Sequence, residues 1–124
     1  MNVIEQAQQA YAPKELPLSS PRSVEAKLFN QVTAQLQRFS DLKPKDFPKL
    51  AAALLENRRL WNALASDVAD QSNQLPKELR AKIFYLAEFT ELHSEKVLSH
   101  SGSVDALIAI NTAVIRGLNN QGID

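Results

Sequence analysis

The chain is 124 residues long, carries no formal net charge and contains no cysteine; that length fits one domain that can bury a core without cross-links. The lack of cysteine excludes a disulfide framework, a thiolate zinc site and a cysteine nucleophile, and it suits the reducing cytoplasm. Gly102, Gly117 and Gly122 are the only glycines and stand too far apart for a phosphate-cradling loop, the N-terminus lacks the basic-then-apolar pattern of a signal peptide, and no apolar run is long enough to span a membrane.

In chain order, residues 2–11 are good helix formers with Val3, Ile4, Ala7, Ala10 and Tyr11 on one side, which predicts a short docking helix. Pro13 and Pro17 then make an extended connector through residue 19. Ser20-Pro21 restarts helix with an N-cap serine and a proline at the first helical position. Val24, Leu28, Val32, Leu36 and Phe39 follow as an amphipathic stripe to about residue 40, with Phe29 just off it.

Residues 41–49 are the next break. Asp46 can cap a new helix and Pro48 is tolerable in its first turn. Leu50, Ala53, Leu54, Trp61, Leu64 and Val68 form a strong stripe with Leu60 on its shoulder, and the helix fades in the turn-forming run Asp70-Gln71-Ser72-Asn73. Residues 75–99 form the central helix, restarted by Pro76. Leu79, Ile83, Leu86, Thr90, His93 and Val97 are one stripe; Tyr85, Phe89 and Leu92 are a second beside it, leaving Glu88, Glu91 and Glu95 as the wet edge. A helix so widely apolar needs neighbours on two sides, or a partner. After His100-Ser101-Gly102, Ser103 caps a last helix on which Val104, Leu107, Ile108, Ile115 and Leu118 align, and Gly117 with the polar residues 119–124 ends it. The expected fold is all-α: a single-domain, compact antiparallel helical bundle over 20–118 with three long helices and a shorter C-terminal one, plus the short N-terminal helix and a tail.

Charge is uneven. Residues 1–62 hold nine Lys or Arg against six acids, and residues 63–124 hold five against eight, so the halves carry +3 and −3. That tilt is too mild to gather a polyanion by itself. Arg38, Lys43, Lys45, Lys49, Arg58 and Arg59 are the candidate RNA contacts, because Arg58-Arg59 beside Trp61 could meet phosphate and stack on a base. Against this, Arg58 lies on the flank of the Trp61 stripe, where it could pair with an acid of a neighbouring helix. His93 and His100 share a helical face without a third convergent ligand, so no metal site or cofactor is expected. Asn57 and Asn111 each interrupt an apolar face. A buried amide has to find hydrogen bonds, so these residues either tie helices in register, satisfying each other if they face one another, or offer an amide to a partner.

Several co-linear motifs carry a family resemblance: Asn57-Arg58-Arg59-Leu60-Trp61, Leu64-Ala65 with Asp67-Val68, Leu75-Pro76 with Leu79-Arg80-Ala81 and Ile83, the run Tyr85-Leu86-Ala87-Glu88-Phe89-Thr90 with His93, and Ile110-Asn111 with Ala113-Val114-Ile115-Arg116-Gly117-Leu118. Together with Gln6-Ala7, Ala10-Tyr11 and Pro21-Arg22, they make the chain similar to the FlaF family of flagellar biosynthesis regulators over nearly its whole length. The resemblance implies a non-enzymatic cytoplasmic protein that binds flagellin as a secretion chaperone and affects its synthesis and export, alongside the regulator FlbT. The apolar surplus of the central helix then supplies the expected partner groove, at Tyr85, Phe89 and Leu92 with Leu60 and Trp61 at its edge. An RNA-binding regulator of the flagellin message and a homodimer seam are the alternative uses of these surfaces.

Overall fold

The structure is a computed structural model that describes residues 21–41 and 44–123, with side chains for 26–41 and 44–117. The helix expected over 2–11, its connector and Lys43 lie outside the described residues. Four α-helices make up the described chain: α1 (Pro21–Arg38), α2 (Phe47–Ala69), α3 (Lys77–Leu98) and α4 (Asp105–Ile123). A 3-10 turn, Pro44–Asp46, leads into α2.

Each helix forms where its apolar period predicts, with two adjustments. On α1 the buried face is Phe29, Val32 and Leu36, whereas Leu28 is exposed; the face is centred one residue later than the stripe drawn through Leu28. At the other end of the chain, α4 does not stop at Gly117 but runs to Ile123, which makes it 19 residues long, one more than α1 though still shorter than α2 and α3. Gly117 is exposed, nothing lies within 4 Å of where its Cβ would be, and its φ is ordinary. It therefore acts as a poor helix residue and not as a terminator.

The ends are held by specific side chains. Asp46 occupies the N-cap position of α2 but makes no side-chain cap bond, whereas Ser103 Oγ accepts from the Asp105 N–H at 3.1 Å, the expected cap of α4. Between α2 and α3, the Asp70 carboxylate accepts from the Ser72 N–H at 2.8 Å and Asn73 Oδ1 from the Leu75 N–H at 3.0 Å, which folds Leu75 back into the core. α3 ends in a doubly bonded turn: the His100 N–H donates to the Val97 carbonyl and the Ser101 N–H to the Lys96 carbonyl. His100 sits there at φ 64°, the left-handed position usually given to glycine.

Packing divides the interior into two apolar clusters. One joins Phe29 and Val32 of α1 with Leu60, Trp61, Leu64 and Val68 of α2, Leu75, and Ile83 and Ala87 of α3; Ile110, Val114 and Ile115 of α4 pack against it. The other joins Leu36 with Leu50, Ala53, Leu54, Val97, Val104 and Leu107. Along the chain, Thr33, Asn57, Thr90 and Asn111 fall between the two clusters, one from each helix, and all four are buried. A polar layer thus crosses the middle of the molecule. α1 packs on α2 and α4, α2 packs along α3, and a narrower seam joins α3 to α4.

Candidate partner-binding groove

The central helix divides its two expected stripes between core and surface. Ile83, Ala87, Thr90, Ser94 and Val97 are buried, with Leu79, Leu86 and His93 half-buried beside them. Because successive residues advance about 100° around the axis, Tyr85 and Leu92 point away from that face. They are 63% and 68% exposed. Phe89 separates from them: it packs against the second cluster and its ring stacks on His93 at 5.2 Å. Leu60 and Trp61 are corrected more sharply. Both are buried in the first cluster, with Trp61 edge-on to Phe29 at 5.6 Å, so neither can edge a groove.

What lies beside Tyr85 and Leu92 instead is Phe84, which is 42% exposed. Two adjoining depressions run between the outer sides of α2 and α3. The first is lined by Val68, Ala69, Lys77, Arg80, Ala81, Phe84, Tyr85 and Glu88. The second is lined by Asn62, Ala65, Phe84, Ala87, Glu88, Glu91 and Leu92. Phe84 and Glu88 belong to both, so together they form one shallow groove of which Phe84 is the centre. Alanines at 65, 69 and 81 keep its floor low. Phe84 is absent from both expected stripes of α3; the signal in the sequence was its adjacency to Tyr85, which made a pair of aromatics that no single stripe could bury.

The groove has a charge direction. Lys77 and Arg80 stand at the α3 N-terminal end, where Arg80 Nε donates to the Val68 carbonyl at 3.1 Å and so caps the last turn of α2. Glu88 and Glu91 stand at the other end. Glu91 is held by Arg58, whose Nε reaches Oε1 at 3.1 Å and whose second nitrogen meets Oε2; Glu95 joins at 3.2 Å. The Arg58 hydrogen bond pulls the Glu91 carboxyl below its usual range, and the same pair raises the Arg58 pKa.

Two of the basic residues are engaged by acids of their own chain. Arg58 is committed to Glu91 and Glu95, as its flank position allowed, and Arg59 pairs with Glu56 at 2.9 Å. Arg38 and Lys45 are exposed near the α1–α2 junction, while the Lys49 ammonium sits 5.9 Å from the Phe39 ring centre. His93 Nε2 lies 2.7 Å from the Ser103 carbonyl, and the His100 ring rests against Phe47 at 4.9 Å. Among the described residues no group of three His, Cys, Asp or Glu could hold a metal ion, and no helix is long and apolar enough to cross a membrane. Asn57 and Asn111 bond to each other inside the polar layer, at 2.8 Å.

A family model described as flagellar protein FlaF matches residues 7–118. The chain belongs to the FlaF family. The match spans all of α1, α2 and α3 and most of α4, so the groove, the polar layer and the Arg58–Glu91 pair all lie within the family region. Comparison with curated proteins and with solved structures found no match.

Proposed function

We propose that this FlaF-family protein binds flagellin in the cytoplasm as a secretion chaperone, receiving an amphipathic helix of the unassembled subunit in the α2/α3 groove, and through this binding affects flagellin synthesis and export. The observation that carries the reading is the exposed apolar row Phe84, Tyr85 and Leu92 on a helix whose opposite face is already buried in the core. Such a row needs no partner for folding, and an apolar groove between two helices is the geometry that takes the apolar face of a third. The groove surface between Lys77 and Leu92 spans about 22 Å at the helical rise, enough for a guest of about four turns. FlbT is a further expected partner.

The alternative, direct binding of the flagellin message, is disfavoured by the engagement of Arg58 and Arg59 with acids of their own chain. Replacing Phe84 and Leu92 together by Ser tests the first reading. Both side chains are exposed, so circular dichroism and the melting transition stay as in the parent while co-purification of flagellin is lost. Retained flagellin binding by the folded double variant would sink the groove assignment. Light scattering on the protein alone separates a homodimer using the same row.

A further inference from the structure

We infer that residues 2–11 of the same chain occupy the α2/α3 groove when no guest is present and are displaced by it; the inference deepens the chaperone reading and rests on it for the displacement step alone. Reach, shape and charge direction converge on this occupant.

Reach comes first. α1 starts at the end of the molecule where the groove starts, since Ala26 and Phe29 share a cluster with Val68, Leu75 and Leu79. The nine residues 12–20, with Pro13 and Pro17 favouring an extended path, can cover up to about 30 Å. Crossing α2 to the groove takes about 10 Å. The connector is therefore long enough with slack.

Shape is next. Residues 2–11 present Val3, Ile4, Ala7, Ala10 and Tyr11 on one helical side and carry a single charge, Glu5. A helix of that length is about 15 Å long, which matches the stretch from Ala81 to Leu92 along α3. The low alanine floor leaves space for the larger side chains to lie beside Phe84.

Charge sets the direction. A chain arriving from α1 enters at Lys77 and Arg80, so Tyr11 lies at that end and Val3 lies toward Glu88. The C-terminal, negative end of the docked helix then faces Lys77 and Arg80, and its positive end faces Glu88. Asp70, an acid close to Arg80, is already engaged by Ser72. The route and the helix dipole agree on one orientation. A groove so occupied lowers apparent affinity for any guest by the fraction of time it is filled.

The cysteine-free chain makes the test direct. Full-length protein carrying Ile4→Cys with Leu92→Cys, oxidised mildly at low concentration without flagellin, should form an intramolecular disulfide at least tenfold faster than a control carrying Ile4→Cys with Leu28→Cys, whose second site is exposed on α1. In a separate full-length chain, Val3→Asp with Ile4→Asp should bind purified flagellin about tenfold more tightly, as expected if the segment fills the groove nine-tenths of the time. A disulfide no faster than the control overturns the docking whatever flagellin does. Unchanged flagellin affinity in the Asp variant overturns the displacement. If the disulfide forms quickly but neither chain binds flagellin, the docked segment stands and the chaperone reading falls.

Discussion

Asn111 Nδ2 donates to Asn57 Oδ1 at 2.8 Å, joining α4 to α2 through side chains although their backbones hardly approach one another. The second partner of Asn111 is Trp61, whose indole N–H donates to Asn111 Oδ1 at 3.0 Å. Asn111 is thus the hub: it serves two groups on α2 one helical turn apart, and only one register of α4 against α2 allows both bonds. Thr33 Oγ1, Asn57 Nδ2 and Thr90 Oγ1 are buried without a hydrogen-bond partner among the described residues.

Replacing Asn111 by Leu should therefore be costly, by about 2–4 kcal/mol, because it strands the Trp61 N–H and the Asn57 carbonyl in the core. Adding Asn57→Leu in that background should cost much less than Asn57→Leu in the parent. Urea denaturation of the two single variants and the double variant measures the coupling; simple additivity would show that the pair is not a unit.

Acid sensitivity has an identifiable contributor in Glu91. Its pKa is lowered in the folded chain from the ordinary 4.5, first by the Arg58 hydrogen bond, so its contribution is complete above that unfolded value and is lost as pH falls through the lowered folded one. Glu91→Gln should lower the melting temperature at pH 7 and flatten its decline in the acid range. Melting curves collected from neutral pH downward, parent beside variant, check the sign; parallel curves would show that Glu91 carries no such linkage.

Gly117 should be a site of easy gain. It is helical, exposed and unobstructed, so Gly117→Ala removes unfolded-state freedom without a clash and should stabilise by about 0.5–1 kcal/mol. A lower melting temperature for this variant would contradict a regular helix through the position.

The turn after α3 makes a contrasting demand. His100 holds a left-handed backbone, which glycine adopts freely and a β-branched residue resists. His100→Val should lose about 1 kcal/mol or more relative to His100→Gly, both having given up the Phe47 ring contact. Equal stabilities in paired thermal melts would count against strain at this turn.

The four described helices, their limits near prolines and polar runs, and the Ser103 cap are legible in the sequence because each depends on residues within a few positions of one another. The extension of α4 past Gly117 is not, since a single glycine weakens a helix by an amount that its neighbours can offset. Asn57 and Asn111 stood out as polar interruptions of apolar faces, and Arg58 as a flank residue in reach of an acid. Their partners were not readable, because the partner of a side chain is set by which helix lies opposite and in which register. The groove shows the same division. Sequence alone marked α3 as too apolar for one neighbour and placed Tyr85 and Leu92 on the surplus side. Tertiary packing decided the rest: it took Leu60 and Trp61 into the core, turned Phe89 to the second cluster and left Phe84 at the groove centre. Periodicity says which residues of one helix share a direction, while exposure depends on how much of that direction the neighbouring helices cover.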